Sequence, residues 1–306
     1  MNTPSYSRRR FLGSTAALSL GCLMSPTLKV QSMEQPWKRP GKPRFALSLA
    51  AYSFRDYFNH ADAAKRITLF DFVDYCADHG CAGTELTSYY FPKNLDTAFL
   101  LKIRRHAFLR GVAISGTAVG NTFTLPQGEK RTEQIAMVKQ WVDHAAMMTA
   151  PHIRVFAGTA SGADKTEAKR LCVSALEECA DYAGSKGVFL GLENHGGIVS
   201  EPGDLLDIVK SVKSPWLGIN LDTGNFVTDD PYRDLAECAP YAVNVQFKVE
   251  IQRRGQQKGM ADFERLVRII REANYQGYVA LEYEAKDDPF TAVPGHLRKM
   301  SELLAG

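Results

Sequence analysis

Four apolar runs in the C-terminal half of the chain each end in an oxygen-bearing side chain. They are Leu190-Gly191-Leu192-Glu193, Leu217-Gly218-Ile219-Asn220-Leu221-Asp222, Val243-Asn244-Val245-Gln246 and Tyr278-Val279-Ala280-Leu281-Glu282. Glu193, Asp222, Gln246 and Glu282 follow one another at intervals of 29, 24 and 36 residues. One βα unit of a barrel takes about 31 residues, so four successive strand ends can each aim one oxygen at a shared mouth. A carboxylate that closes a buried strand costs free energy unless a cation or a donor pairs with it. Three carboxylates and one amide suit a single hard or borderline divalent cation, Mn²⁺, Co²⁺ or Mg²⁺.

Other side chains cluster around these four in the sequence. Glu284 lies two residues past Glu282 and points the same way on a strand; Glu282 is the favoured ligand because it directly follows the apolar run. Gln246 taken alone reads equally well as a core amide, and its place in the series makes it a ligand candidate. His195, two residues past Glu193, can serve as acid/base, bind a hydroxyl, or be a satisfied loop histidine. Lys248, two past Gln246, can stabilise an oxyanion. Arg154 lies in an otherwise apolar strand, so it must be paired or face the barrel interior. Glu85 ends the second strand with the same two readings. Tyr52, Phe54, Tyr89, Tyr90 and Phe91 follow strands one and two, where aromatics stack on a sugar ring or simply pack. Asn225, just past Asp222, joins Arg154, Glu85 and Tyr52 as a substrate-contact candidate. His60, His79, His106 and His144 fall in helical or connecting stretches and read as structural.

The elements that must position these groups alternate along the chain. Strands are expected at Phe45–Ala51, Gly83–Leu86, Val112–Gly116, Ile153–Phe156, Phe189–Glu193, Leu217–Leu221, Ala242–Phe247 and Tyr278–Glu282. All are short and apolar, as buried parallel strands are. Amphipathic stretches lie between them, at Ile67–His79, Thr132–Met148 and Thr166–Lys186, with Thr166 as N-cap of the last. The strongest helical pattern begins at Asp262. Gly80, Gly111 and Gly187 sit where helix C-terminal caps belong. Eight such units predict a single-domain α/β fold, a closed (β/α)8 TIM barrel over residues 44–306. An open doubly wound sheet would carry a Gly-rich phosphate loop after the first strand, where this chain has Tyr52-Ser53-Phe54-Arg55-Asp56.

The bulk numbers bound the rest. The chain has 306 residues, 45% of them hydrophobic and a net charge of +3, enough for one barrel-sized core. Arg8, Arg9 and Arg10 account for that charge, so no nucleic-acid surface is indicated. Ser7-Arg8-Arg9-Arg10-Phe11-Leu12-Gly13 resembles a twin-arginine export motif. The apolar stretch after it, to Met24, is too short for a stable membrane span. Residues 1–30 are therefore expected to be a twin-arginine signal segment directing export to the periplasm. Cys22 offers lipid attachment as a lesser alternative. Residues 31–43, with three prolines, are expected to be a flexible linker. The remaining five cysteines form no Cys-x-x-Cys pair and indicate neither a structural zinc nor a disulfide framework.

Leu192-Glu193-Asn194-His195-Gly196, Asn220-Leu221-Asp222-Thr223-Gly224-Asn225, Gln246-Phe247-Lys248 and Leu281-Glu282-Tyr283 together resemble the sugar phosphate isomerase/epimerase family, the xylose isomerase-like TIM barrels. The resemblance runs from about Phe45 to Leu304. It implies one divalent cation held at Glu193, Asp222, Gln246 and Glu282. Gln246 stands where the epimerases usually carry His, which leans the site toward Mn²⁺, Co²⁺ or Mg²⁺ and away from Zn²⁺. It also implies Glu193 and Glu282 as the bases that remove and return a proton next to a carbonyl, through a metal-stabilised enediolate. Return to the opposite face is epimerisation, and return to the neighbouring carbon is isomerisation. Expulsion of a β-substituent makes the enzyme a 3-keto-glycoside lyase or hydratase instead. A non-catalytic sugar-binding barrel is the remaining alternative. The expected partner is a carbohydrate, and relatives of this kind often form homo-oligomers.

Overall fold

The computed structural model describes residues 36–160 and 164–306. Its barrel strands are β1 (Arg44–Ala50), β2 (Gly83–Thr87), β3 (Ala113–Ala118), β4 (His152–Val155), β5 (Phe189–Glu193), β6 (Leu217–Asp222), β7 (Ala242–Phe247) and β10 (Gln276–Leu281). Between the last two, β8 (Glu250–Ile251) and β9 (Gly259–Met260) form a small antiparallel arm that the sequence did not announce. The eight strands are all parallel and close in chain order, with β10 pairing β1 from Arg44↔Gln276 to Leu49↔Leu281. Every expected strand is present, Phe189–Glu193 and Ala242–Phe247 with the expected bounds and the others with ends shifted by at most two residues.

The strands read as continuous apolar runs because helices cover the barrel's outside and side chains fill its inside. All six residues of β6 are buried, including Asn220 and Asp222. Outside, helix Phe263–Glu272 buries Phe263, Leu266, Val267, Ile269 and Ile270 against the barrel. Its N-cap Asp262 accepts the Arg265 amide at 3.0 Å, a cap interaction that contributes about 1 kcal/mol. Gly80 and Gly111 follow helices at φ of +73° and +69°, a left-handed backbone that glycine adopts without a Cβ clash.

Two local expectations need correction. Thr166 is not an N-cap; Asp164 holds that position and the helix runs Lys165–Ser185, so Thr166 already lies in its first turn. The described part of the expected linker, residues 36–43, is fastened to the barrel's N-terminal face. The Trp37 ring meets Phe189 edge-on at 5.6 Å. The Arg39 guanidinium donates to the Ala242 carbonyl, and Asn274 and Gln276 donate to the carbonyls of Arg39 and Pro40 at 2.9 and 2.7 Å. The twin-arginine stretch, Cys22 and residues 31–35 lie outside the described residues. Among those described, no helix is long and apolar enough to cross a membrane, and Cys76, Cys81, Cys172, Cys179 and Cys238 are buried free thiols.

Candidate active site at the C-terminal face of the barrel

The C-terminal strand ends bring together the groups that sequence spacing put in series. Glu193 ends β5, Asp222 ends β6, Gln246 is the penultimate residue of β7 and Glu282 follows β10 directly. All four are buried, Asp222 completely. In register, Asp222 stands beside Gln246. Asn194 locks the ends of β5 and β6 together. Its amide donates to the Asp222 carbonyl and its oxygen accepts the Asp222 amide, both at 2.9 Å.

Each carboxylate has different company. Glu193 is fully partnered: Arg154 Nε lies 2.8 Å from its Oε2, and His195 Nδ1 and Asn225 Nδ2 reach its Oε1 at 2.8 and 2.9 Å. Burial alone would raise this carboxyl, but the Arg154 charge and then His195 outweigh it and hold it below the usual range. Arg154 therefore faces inward and is paired. Its Nε is close to Glu193 but poorly aligned for a hydrogen bond, while its Nη1 donates to the Val119 carbonyl at 2.8 Å.

Asp222 and Glu282 share one cation. The Lys248 ammonium lies 3.2 Å from Asp222 Oδ2, 2.8 Å from Glu282 Oε2 and 3.0 Å from Glu284 Oε2. Burial opposes the Lys248 charge, yet Asp222, Glu282 and Glu284 together hold its pKa well above the ordinary value. Asp222 is pushed well above the carboxylate range, first by burial and then by Glu193 and Glu282, against the pull of Lys248. Its Oδ1 accepts the Gly224 amide at 2.8 Å. Its Oδ2 has no aligned hydrogen-bond donor although the ammonium is near.

Below the mouth lies a second polar layer. Gln246 Nε2 donates to Glu85 Oε1 at 2.6 Å, and Asn244 Nδ2 to Glu85 Oε2 at 2.9 Å. Asn220 Nδ2 donates to Gln246 Oε1 at 2.7 Å, and Asn244 Nδ2 also reaches Asn220 Oδ1 at 2.8 Å. Burial, then the Glu282 charge, pushes Glu85 up to about 7. Asn220 and Asn244 were not singled out from the sequence. They sit two residues before Asp222 and Gln246, and the period of two that places them on the same strand face was the signal.

The aromatics divide. Tyr90 stacks on Phe58 at 4.0 Å, Phe91 meets Trp141 and Phe99, and Phe54 packs on Tyr75 and Phe290, so these three are packing. Phe156 carries the Arg154 guanidinium over its face at 3.9 Å and the His195 ring at 4.4 Å. Tyr52 remains partly open, with its hydroxyl raised first by burial and then by the Glu284 charge. His195, more than half exposed, is the most accessible acid/base group at the mouth.

The chemistry of this donor set fits a divalent cation. Five carboxylates, Glu85, Glu193, Asp222, Glu282 and Glu284, face two permanent cations, Arg154 and Lys248. Asp222 Oδ2 is buried without an aligned donor, and Gln246 Oε1 keeps a second lone pair beyond its bond from Asn220. As the side chains stand, no three His, Cys, Asp or Glu among the described residues are grouped closely enough to hold a metal. The Lys248 ammonium takes the place between Asp222 and Glu282.

Residues 73–303 match the family described as xylose isomerase-like TIM barrel. The chain belongs to this family. No curated protein matches it. Among solved structures it is similar to a D-psicose 3-epimerase crystallised with D-fructose, at 16% identity and a TM-score of 0.65, over 83% of this chain and 89% of that one. It is also similar to the 3-keto-D-glucoside 4-epimerase YcjR from E. coli, at 16% identity and TM-score 0.64, over 85% and 100% of the two chains. An IolI protein with a bound zinc atom gives TM-score 0.67 at 16% identity, over 84% and 96%. At such identities the likeness is one of fold.

Proposed function

We propose that this barrel is a divalent-cation-dependent sugar isomerase or epimerase that removes and returns a proton next to a carbonyl. The observation that carries the reading is the convergence of Glu193, Asp222 and Glu282 at one buried mouth, with Asp222 Oδ2 lacking an aligned donor. Glu193, Asp222, Gln246 and Glu282 would hold the cation, with Mn²⁺, Co²⁺ or Mg²⁺ favoured over Zn²⁺ by the oxygen donors. When bound, that cation would polarise the substrate carbonyl and spread the charge that develops as the proton leaves.

The chain's own groups supply the remainder. Glu193 and Glu282, at strand ends separated by β6 and β7, take and return the proton. Arg154 and His195 keep Glu193 ionised and therefore competent as a base. Asn225 and His195 line the open side, where sugar hydroxyls would bind. Lys248 adds positive charge on the Glu282 side, where an oxyanion would form. Arg154, Glu85 and Tyr52 would fix the substrate's orientation, Glu85 through Gln246. The epimerase and IolI neighbours support a carbohydrate substrate and a metal-assisted route. We further propose that residues 1–30 direct twin-arginine export to the periplasm, which favours free sugars or glycosides over phosphorylated ones.

A second reading, 3-keto-glycoside elimination, is favoured by His195. Its exposed ring stands 2.8 Å from Glu193 and can protonate a departing alkoxide. One experiment separates the two. Mn²⁺-loaded protein is incubated in D₂O with free ketoses, aldoses and 3-keto-glycosides, then read by NMR and mass spectrometry. Deuterium next to the carbonyl of an intact sugar is the expected result. Release of an aglycone establishes the lyase instead. Absence of both across the panel points to a sugar-binding barrel.

A further inference from the structure

Lys248 leaves β7 along a path that its neighbours have been shaped to allow. A Cβ added at Gly224 would come within 2.5 Å of its Cγ and 2.8 Å of its Cβ, closer than real contacts tolerate. The Lys248 amide is itself tied to Thr223 Oγ1 at 2.9 Å. The segment Asp222-Thr223-Gly224 thus fixes both ends of the problem: it presents a carboxylate and steers a tethered ammonium onto it.

The three partners of that ammonium are not alike. Asp222 and Glu282 are buried and belong to the proposed ligand set. Glu284 is about one-third exposed, at 35% for its side chain, and lies on the solvent side of the mouth. An ammonium has three donors and no preferred plane, so one head group can bridge all three or retreat to one.

We propose that Lys248 is a built-in counter-cation that competes with the divalent ion for Asp222 and Glu282, and that loading the ion shifts its ammonium onto Glu284. This rests on the metal reading above. Buried carboxylates this close repel one another unless a positive charge lies among them. Before an ion arrives, Lys248 is the only cation in contact with Asp222 or Glu282 among the described residues. An ammonium 2.8 to 3.2 Å from those oxygens occupies the space a divalent ion needs beside them, so the two cations exclude each other. Glu284 gives the displaced charge a partner without withdrawing the stem from its groove beside Gly224. The arrangement keeps the mouth assembled without metal, at the cost of weaker metal binding.

The test is calorimetric titration of Mn²⁺ into chelator-treated full-length wild type, Lys248→Met, Glu284→Gln and the double variant, with melting curves before metal is added. Methionine keeps the length of the stem and removes the charge. Lys248→Met should bind Mn²⁺ about tenfold more tightly, a coupling of the size such cycles resolve, and should melt lower than wild type without metal. Glu284→Gln should weaken Mn²⁺ binding when Lys248 is present and have a smaller effect beside methionine. Unchanged or weaker binding in Lys248→Met overturns the exchange, as does an equal Glu284→Gln effect in both backgrounds. If Lys248→Met does not fold without metal, Lys248→Gln carries the same expectation. Absence of Mn²⁺ binding in all four proteins would overturn the metal reading itself and the exchange with it.

Discussion

The two polar layers inside this barrel share β6 and β7, where their residues lie two apart, yet they close differently. In the lower layer, Asn220, Asn244, Gln246 and Glu85 bond to one another in a neutral-to-acid network with short, aligned hydrogen bonds. In the upper layer, Asp222, Glu282 and Glu284 crowd around one ammonium, and Asp222 Oδ2 lacks an aligned donor. A closed network rigidifies and positions; an open one retains capacity for a ligand. In the proposed function the upper layer carries the chemistry, and the lower one holds the Gln246 amide in place.

The largest effect that distinguishes the layers is on turnover. Glu282→Gln and Glu193→Gln should each lower kcat by about 10²–10⁴, the range for losing a general base, with the fold retained; Glu193→Gln should also melt lower, because it leaves the buried Arg154 guanidinium without its carboxylate. Steady-state kinetics and circular dichroism check this together; near wild-type turnover in either variant would remove that residue from the proton transfer. The next effect is on stability, in the lower layer. Asn220→Leu leaves Gln246 Oε1 and one Asn244 contact unpaired in a buried site, which should cost about 2–3 kcal/mol in urea unfolding. A cost near zero would mean the lower network is not closed as described.

An effect confined to acid pH tests the barrel wall beside that layer. His152 is buried and its pKa is lowered to about 4 by burial and then by Arg154, from an ordinary 6.5. Its Nε2 has no hydrogen-bond partner. With the folded pKa depressed, the unfolded chain binds the proton first. Stability is therefore fully present above about 6.5 and declines as pH falls toward 4, by at most about 3 kcal/mol at 1.36 kcal/mol per unit. His152→Phe should flatten that part of the stability–pH curve. An unaltered slope would assign the acid sensitivity to other groups.

Much of this was legible in the sequence for physical reasons. Parallel strands buried on both faces must be apolar, so a carboxylate at the end of one, as in Leu192-Glu193 or Leu221-Asp222, stands out against its own strand. Asn220 and Asn244 did not stand out, because a single amide inside an apolar run carries no charge to explain. Arg154 was readable as paired or inward but its partner, Glu193, lies on the neighbouring strand, and strand neighbours are not visible from one segment. The β8–β9 arm consists of two-residue strands, too short for any periodicity. Residues 36–43 looked like a free connector because prolines hide pattern, whereas their hold on the barrel comes from Trp37, Arg39 and main-chain carbonyls. The exchange role proposed for Lys248 required distances; from the sequence it read as an oxyanion stabiliser on the Gln246 side of its strand.

The most direct test of the account is the anomalous-difference map of crystals soaked in Mn²⁺. The account predicts one peak at the barrel mouth, within about 2–2.5 Å of oxygens from Glu193, Asp222, Gln246 and Glu282. No peak there at saturating Mn²⁺, or a peak coordinated by other residues, would contradict it.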